Sequence, residues 1–309
     1  MHLGLFGGEP TLAWGRMLEA IEYAKTVAMR YNITSATSIT TNGFIGLSRA
    51  SWLAENINSI TVSFDGFKLI QDFQRSNSFD KVFTVAKRIY SLSPKRLSLR
   101  AAVTDYSVEF LPQIVEFFGE HFPGCVQKYE PIFPMGRGTT MKGINAPLHS
   151  LFFDKFLQSV PIAKKYNVKL KTSVLRIRAG SCATFCGASG GNFLVTYDGK
   201  IVVCNRMVEG DVNEAVDFFC VGFFDERVGT LVIDENKYKK LAVLSFQNIS
   251  ECQNCFAQFS CKGDCPANKA VISPSNFWRE KSYRCEDVRV FIKNALSYIL
   301  DNGTEGLFI

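Results

Sequence analysis

The cysteines constrain this chain more than any other feature of its sequence. Two residues separate one pair of them, three separate two further pairs, and longer gaps join these tight groups. Eight of the ten cysteines take part: Cys182, Cys186, Cys204, Cys252, Cys255, Cys261, Cys265 and Cys285. Thiolates are soft ligands for zinc and iron–sulfur centres, and ordinary buried thiols account for one or two cysteines rather than eight. Since a [4Fe–4S] cluster takes four thiolates, eight could complete two such sites.

Zinc is the alternative that spacing alone leaves open. Cys252 and Cys255, followed by Cys261 and Cys265, have the form of a zinc knuckle. The remaining two cysteines fit neither group, because Cys125 follows a Pro-Gly turn and Cys220 lies in an apolar run. We expect both to be ordinary buried thiols.

Composition indicates a folded, cytoplasmic protein. Hydrophobic residues make up 47% and charged residues 21% of the 309 residues, as in a globular chain with a full core. No apolar run reaches the roughly 18 residues of a membrane span, and the first residues do not resemble a signal peptide. The formal net charge of +6 is mild and the basic residues are scattered, so we expect no nucleic-acid and no membrane partner. A reducing compartment argues against disulfides.

The N-terminal part of the chain alternates short apolar runs with longer helical patterns. This order predicts βα units around a parallel sheet. The expected strands are 3–6, 35–40, 60–64, 96–103 and 127–133, and the expected helices are 17–31, 48–56 with Ser48 as N-cap, 79–91 and 108–121. Ligands of such folds bind at the carboxyl ends of the strands. The tips that should line one mouth are 7–10, 41–43, 63–66 and 103–104.

The second half of the chain has a different pattern. Residues 138–147 are polar and predict a linker, and 148–166 predict a helix. Asp198-Gly199 between two apolar runs predicts a hairpin with a type I′ turn, and 287–300 predict an amphipathic helix. The expected domains are an N-terminal α/β domain over 1–140, a linker and helix over 141–180, and a cysteine-rich domain over 181–309.

Five motifs in order, followed by the cysteine series, resemble the radical S-adenosylmethionine (SAM) enzymes that carry a SPASM domain. The motifs are Leu5-Phe6-Gly7-Gly8-Glu9-Pro10-Thr11-Leu12, Thr40-Thr41-Asn42-Gly43, Ser63-Phe64-Asp65-Gly66, Arg100-Ala101-Ala102-Val103-Thr104, and Glu130-Pro131 with Gly136-Arg137-Gly138. Each is weak alone, but the series covers nearly the whole chain. The resemblance implies an α/β fold: a partial (β/α) radical SAM barrel, truncated at its N-terminus, followed by a cysteine-rich SPASM domain with a β-hairpin and helices.

The resemblance also implies where SAM binds. By that resemblance, the SAM-binding residues are Gly7, Gly8, Glu9, Pro10, Asn42, Ser63, Asp65 and Arg100. The first four would contact the amino group, and Asn42, Ser63 and Asp65 would face the ribose or the methionine part. Arg100 would hold the SAM carboxylate, since a guanidinium pairs bidentately with a carboxylate.

The family pattern further implies two sets of cluster ligands. The first auxiliary [4Fe–4S] cluster would take Cys182, Cys186, Cys204 and Cys265, and the second would take Cys252, Cys255, Cys261 and Cys285. With four protein thiolates on each cluster, neither would have an open iron. Electron transfer or structural support is then the expected role of both clusters, rather than substrate ligation.

Two departures from the family pattern matter. Family members carry a Cys-x-x-x-Cys-x-x-Cys loop upstream of the first motif, whereas only six residues precede Gly7 here. That loop holds a third [4Fe–4S] cluster, which cleaves SAM in the complete protein. The second departure is Asn205, where the sulfatase-maturing branch has an acidic proton acceptor. An amide is not a general base, so a peptide maturase is preferred.

We therefore expect a radical SAM/SPASM enzyme that forms cross-links or similar modifications on a peptide or protein substrate. It would need SAM and a reductant for its clusters. A non-catalytic iron–sulfur relic that binds a peptide or partner, and a zinc-binding interaction protein, are the alternatives. The catalytic residues are not assigned by the sequence.

Without the SAM-cleaving loop, the 309 residues as written should not start radical chemistry. The expected outcome is no 5′-deoxyadenosine when this chain is incubated anaerobically with SAM and dithionite, as measured by chromatography and mass spectrometry. Formation of 5′-deoxyadenosine would contradict the interpretation of the missing loop.

Overall fold

The computed structural model describes residues 1–133, 143–176, 182–208 and 214–307. The motif at 136–138 and most of the expected linker lie outside these residues. The described chain forms two compact units. The N-terminal unit comprises 1–132, 143–172 and 301–307, and the C-terminal unit comprises Phe133, 173–176, 182–208 and 214–300. Among the described residues, no helix combines the length and the apolar character that crossing a membrane requires.

A six-stranded parallel sheet is the centre of the N-terminal unit, and its strands follow chain order without reversal. They are β1 His2–Leu5, β2 Ala36–Thr41, β3 Ser59–Ser63, β4 Leu97–Val103, β5 Val126–Pro131 and β6 Lys169–Lys171. Crossovers between parallel strands are right-handed, so an order that never reverses places the crossover helices on one face. The strand residues of the opposite face are partly exposed, which leaves that face open to a ligand.

Seven helices of the described chain accompany this sheet. They are α1 Trp14–Arg30, α2 Leu47–Asn56, α3 Lys68–Gln74, α4 Phe79–Leu92, α5 Leu111–His121, α6 His149–Gln158 and α7 Val160–Lys165. The core between sheet and helices is rich in aromatic rings. Phe64 is fully buried, and its ring contacts Phe79, Phe83, Phe117, Phe118 and Phe122.

The two faces of the sheet differ in chemistry because side chains alternate along each strand. The helix-covered face carries buried residues such as Ile39, Val62, Leu99, Tyr129 and Leu170. The opposite face, which we call the polar face, carries Ser38, Thr40, Ser63, Arg100, Lys128 and Lys171. Hydroxyl and cationic groups therefore line the face that a ligand can reach.

The structure differs from the sequence prediction in three places within this unit. Helix α3 and strand β6 were not predicted, because each is short and follows no clear periodicity. The N-cap of α2 is Gly46, so the prediction of Ser48 as cap is wrong. The region expected to be one helix over 148–166 is two helices, because Pro161 opens α7 and has no amide hydrogen to continue α6.

The C-terminal unit contains an antiparallel sheet in the order β10-β9-β8-β7. Its strands are β7 Leu194–Val195, β8 Lys200–Val202, β9 Cys220–Asp225 and β10 Thr230–Ile233. Its helices are α8 Glu214–Phe219, α9 Glu235–Lys240, α10 Gln258–Cys261, α11 Pro266–Ile272 and α12 Cys285–Asn302. The core includes the fully buried Val203, Phe219 and Phe277, and the last two rings stack with centroids 5.6 Å apart.

The predicted hairpin is present, but its turn is not type I′. A type I′ turn needs positive φ at both central residues, and in this loop only Gly199 has one, at +76°. The Gly199 amide donates to the Thr196 carbonyl at 3.1 Å, and the Thr196 amide donates to Lys200 at 3.0 Å. The loop is therefore one residue longer than predicted, with the glycine in the left-handed position that closes it.

A fully buried ion pair joins two segments of the C-terminal unit. Arg284 Nε and Nη2 each donate to the Asp264 carboxylate at 2.7 Å, and the Ser282 hydroxyl donates to it at 2.6 Å. Burial alone would raise the pKa of Asp264, but Arg284 and Ser282 lower it to about 2. The pair fixes the loop that ends α10 against the residues that precede α12.

Removing one partner of this pair should cost more than removing both charges. Arg284→Met leaves a buried carboxylate without its counter-charge, which should lower the free energy of unfolding by about 3–5 kcal/mol. Arg284→Met with Asp264→Asn removes that charge, and asparagine tolerates the φ of +66° at this position. We expect the double variant to be more stable than the single variant in urea unfolding followed by circular dichroism.

The control is Arg289→Met, which breaks the exposed pair with Glu286. Its effect should stay under about 1 kcal/mol. A double variant less stable than Arg284→Met would contradict the assignment of the buried charge as the main cost.

Candidate functional site

Glu9 joins the tips of the first two strands. It follows the glycines after β1, and the φ of +133° at Gly7 favours a residue without a side chain. Glu9 Oε1 accepts hydrogen bonds from Thr11 Oγ1 at 2.6 Å and Thr41 Oγ1 at 2.8 Å. Its Oε2 accepts from the Asn42 amide at 2.6 Å. One carboxylate thus holds the motif after β1 beside the motif after β2.

The motif after β2 forms a tight turn. Asn42 is exposed, and its Oδ1 accepts from the Phe44 amide at 2.8 Å. Gly43 has a φ of +73°. A Cβ there would lie only 3.1 Å from Val62 and 3.3 Å from Val82. Both backbone conformation and close packing therefore require the glycine, and the turn places Asn42 at the strand end.

Ser63 and Arg100 are neighbours on the polar face. They are paired in register across β3 and β4, and the Phe64 amide donates to the Arg100 carbonyl at 2.9 Å. Both residues are partly exposed. Lys128 continues the same row on β5. A hydroxyl and two cationic side chains are thus aligned at one level of the sheet.

Asp65 is engaged with groups of its own chain. It is buried, and Arg75 donates to it through Nε at 2.6 Å and Nη2 at 3.0 Å. Gln74 Nε2 and the Ala102 amide each donate to it at 2.9 Å. The carboxylate therefore ties the tip of β3 to α3 and to the end of β4, where Gln74 also bonds Thr104.

These contacts bring together most of the residues predicted to bind SAM. Glu9 contacts Asn42 directly, and Ser63 is paired with Arg100. Asp65 lies two positions beyond Ser63 but is buried, whereas Ser63 is partly exposed. Its predicted contact with SAM stays a prediction, and the geometry favours a role in holding the strand ends.

Four cysteines of the C-terminal unit interact electrostatically as one group. They are Cys252, Cys255, Cys261 and Cys285. The pKa of Cys252 is raised to about 11, mainly by burial and to a smaller extent by the charges of Cys285 and Cys255. Burial also raises the pKa of Cys261, with contributions from Asp264, Cys252 and Cys285. This group is the ligand set that the resemblance implies for the second cluster.

A second group contains three cysteines. The pKa of Cys204 is raised by burial and by the charge of Cys186. That of Cys265 is raised to about 11, mainly by burial, with a smaller contribution from Cys204. These are three of the four ligands implied for the first cluster. Cys261 and Cys265, which are separated by only three residues, thus belong to different groups.

Cys182 differs from the grouped cysteines in its surroundings. It is exposed, and its Sγ lies 3.2 Å from Thr184 Oγ1. That contact lowers the pKa of the thiol. In the described part of the chain, no three His, Cys, Asp or Glu side chains are arranged to hold a single metal ion. The four thiolates of a [4Fe–4S] cluster bind four different irons, so they lie farther apart than the ligands of a single ion. The electrostatic grouping of the cysteines is therefore the observation that can be compared with the implied cluster ligands.

The donor set fits iron–sulfur ligation in its chemistry. All seven grouped donors are thiols and are half-buried or buried, and the charges of neighbouring cysteines add to the burial that raises the pKa of Cys204, Cys252 and Cys261. Such a set is stabilised when a cationic centre replaces the thiol protons. The two remaining cysteines behave differently. Burial raises the pKa of Cys125 to about 12, and Cys220 lies in β9.

Comparisons with known proteins find matches to solved structures. No family model and no curated protein matches the sequence. The native anSMEcpe with bound AdoMet (SAM) and Kp18Cys peptide matches with a TM-score of 0.73 and 21% identity, over 98% of this chain and 85% of that one. The native anSMEcpe with AdoMet matches with a TM-score of 0.74 and 21% identity, over 98% and 84%.

A third match is Streptococcus suis SuiB bound to its precursor peptide SuiA, with a TM-score of 0.55 and 17% identity, over 92% of this chain and 65% of that one. Both anSMEcpe and SuiB are radical SAM/SPASM enzymes. The chain has the radical SAM/SPASM fold. The fold prediction made from the motif series is therefore confirmed.

Sequence reasoning missed several charged groups of this radical SAM/SPASM fold. Lys128 lies two positions before Glu130, so strand alternation places both on one face, but its position beside Arg100 depends on the register of β4 and β5. Lys269 is buried, and its Nζ donates to the Glu280 carbonyl at 3.2 Å. No pattern in the sequence signals a lysine buried among cysteines, because it lies in an ordinary helical segment.

Cys255→Ala should test the grouping of the thiols. Anaerobic reconstitution of the unchanged chain should give about eight irons from two four-iron sites, and the variant should keep about half. Cys220→Ala is the matched control, because Cys220 belongs to neither group and should leave the iron content unchanged. Iron and acid-labile sulfide are the quantities measured. A full iron content in Cys255→Ala would contradict its assignment as a ligand.

Proposed function

We propose that this chain is a SAM-binding peptide maturase of the radical SAM/SPASM type. The observation that carries the proposal is the sorting of the thiols. Seven of the eight cysteines fall into two electrostatic groups, of which one contains all four ligands implied for the second cluster and the other contains three of the four implied for the first. The same chain carries a parallel sheet whose strand tips are joined by the first motif through Glu9.

The polar face would hold SAM through groups at the tips of β1 to β4. The backbone of 7–10 is fixed by Glu9, which would leave its glycine amides and carbonyls available to the SAM amino group. Ser63 would donate or accept a hydrogen bond near the ribose, and Arg100 would pair with the carboxylate. Asp65 would hold the tips in place through Arg75, Gln74 and Ala102.

Two auxiliary [4Fe–4S] clusters would bind in the C-terminal unit. Cys252, Cys255, Cys261 and Cys285 would hold one, and Cys186, Cys204, Cys265 and Cys182 the other. Clusters with four protein thiolates supply one-electron chemistry. The buried Asp264–Arg284 pair would keep the loop between Cys261 and Cys265 at a fixed distance from Cys285.

A peptide is the proposed substrate. The anSMEcpe structure contains a Kp18Cys peptide, and SuiB is bound to its precursor peptide. Asn205 is exposed beside Cys204 and has no carboxylate with which to accept a proton. A sulfatase-maturing activity is therefore not proposed, and cross-linking or a similar modification of a peptide is preferred.

Metal analysis separates this proposal from the two alternatives. Zinc near two per chain without acid-labile sulfide would favour the zinc-binding interaction protein. Iron and sulfide without SAM binding would favour the non-catalytic relic. Iron and sulfide together with SAM binding support the proposal.

Arg100→Gln should weaken SAM binding. A charge-assisted hydrogen bond contributes about 1.5–3 kcal/mol, so the dissociation constant should rise roughly 10- to 100-fold. Arg88→Gln is the control, because Arg88 is an exposed helix residue that donates to Ser51. Isothermal titration calorimetry under anaerobic conditions gives both constants. Equal affinity of the two variants would exclude Arg100 as the carboxylate ligand.

A further inference from the structure

Three cationic residues lie side by side on the polar face. Arg100 on β4, Lys128 on β5 and Lys171 on β6 are paired in register, so they form a single row that we call the cationic row. Adjacent strands are about 4.8 Å apart, which places neighbouring charges of the row close together. Like charges at this spacing repel, and a sheet face with such a row is stabilised by a bound anion.

Lys128 is the centre of the row and is half-buried. Its Nζ donates to Thr61 Oγ1 at 3.2 Å, which is a neutral partner. The pKa of Lys128 is lowered to about 8, mainly by burial and to a smaller extent by Lys171 and Arg100, while Glu130 acts in the opposite direction. The two neighbouring cations therefore outweigh the one carboxylate of the same strand in their effect on Lys128.

The cationic row extends beyond Arg100, which is the proposed partner of the SAM carboxylate. Arg100 pairs with one carboxylate, and a second cation adjacent to it on the next strand can pair with another. The geometry points to a carboxylate site centred on Lys128, where an acidic group of the substrate peptide is held beside SAM. This inference rests on the proposed function, because it places a peptide on the polar face.

The same carboxylate chemistry could come from SAM itself, and the experiment distinguishes the two sources. The probes are acetyl-Gly-Glu-Gly-amide and acetyl-Gly-Gln-Gly-amide, which differ only in the charged group. Their affinities for the reconstituted full chain are measured by ligand-observed NMR, and that of SAM by calorimetry. Lys128→Gln removes the central charge, and Lys128→Arg keeps a cation there as a rescue variant.

The matched control is Lys169→Gln. Lys169 lies on the same face and on β6, but it is paired with Val126 rather than with Lys128. The Lys169→Gln substitution removes one positive charge from the same surface and should leave the affinities of both probes unchanged. A general charge effect would lower Glu-probe binding equally in Lys128→Gln and Lys169→Gln, and would overturn the inference.

We expect the unchanged chain to bind the Glu probe about tenfold more tightly than the Gln probe. Lys128→Gln should abolish this preference and leave SAM binding within twofold, whereas Lys128→Arg should retain it. The preference should shrink between pH 7 and pH 9 as Lys128 loses its proton, and it should persist there in Lys128→Arg.

Other outcomes show whether the bound carboxylate belongs to the peptide or to SAM, or they contradict the proposed site. Weaker SAM binding in Lys128→Gln, with no preference between the probes, would support the carboxylate site with SAM as its ligand. Intact SAM binding with no preference and no effect of Lys128→Gln would overturn the inference alone. Failure of the unchanged chain to bind SAM would instead count against the proposed function.

Discussion

The right-handed crossover is the constraint on which the N-terminal unit depends. Because β1 to β6 follow chain order, each crossover sends its helix to the same face of the sheet. The apolar residues of each strand are covered there, and the alternate residues remain on the polar face. Ser63, Arg100 and Lys128 are thus brought into one row by strand register, although 65 positions separate the first from the last.

Each unit also contains one buried aspartate that organises its candidate site. Asp65 is bonded by Arg75 beneath the strand tips, and Asp264 is bonded by Arg284 beside the cysteine loops. A buried carboxylate is costly without such donors, so each arginine fixes the segment that carries it. The residues expected to contact ligands are therefore held by neighbours whose charges are satisfied within the protein.

The sequence predicted the parts that depend on local pattern. Strand alternation, the Gly-containing turns and the cysteine spacing were sufficient for the parallel sheet and the cysteine-rich unit. What they could not supply was pairing between distant residues. The roles of Asp65 and Asp264 depend on arginines 10 and 20 positions away, and β6 is recognisable only by its register with Lys128. The prediction of a type I′ turn was wrong because Asp198-Gly199 is compatible with more than one loop length.

The two units present opposite electrostatic environments to their proposed ligands. In the N-terminal unit, burial and adjacent cations lower the pKa of Lys128, so binding of a carboxylate would favour its charged form. In the C-terminal unit, burial and neighbouring thiolates raise the pKa of Cys252 and Cys265, so binding of iron must displace their protons. Any ligand that binds only the folded state adds to its stability in proportion to its occupancy. The groups that the proposed function requires would therefore stabilise the folded chain, with cluster loading acting in the C-terminal unit and carboxylate binding in the N-terminal unit.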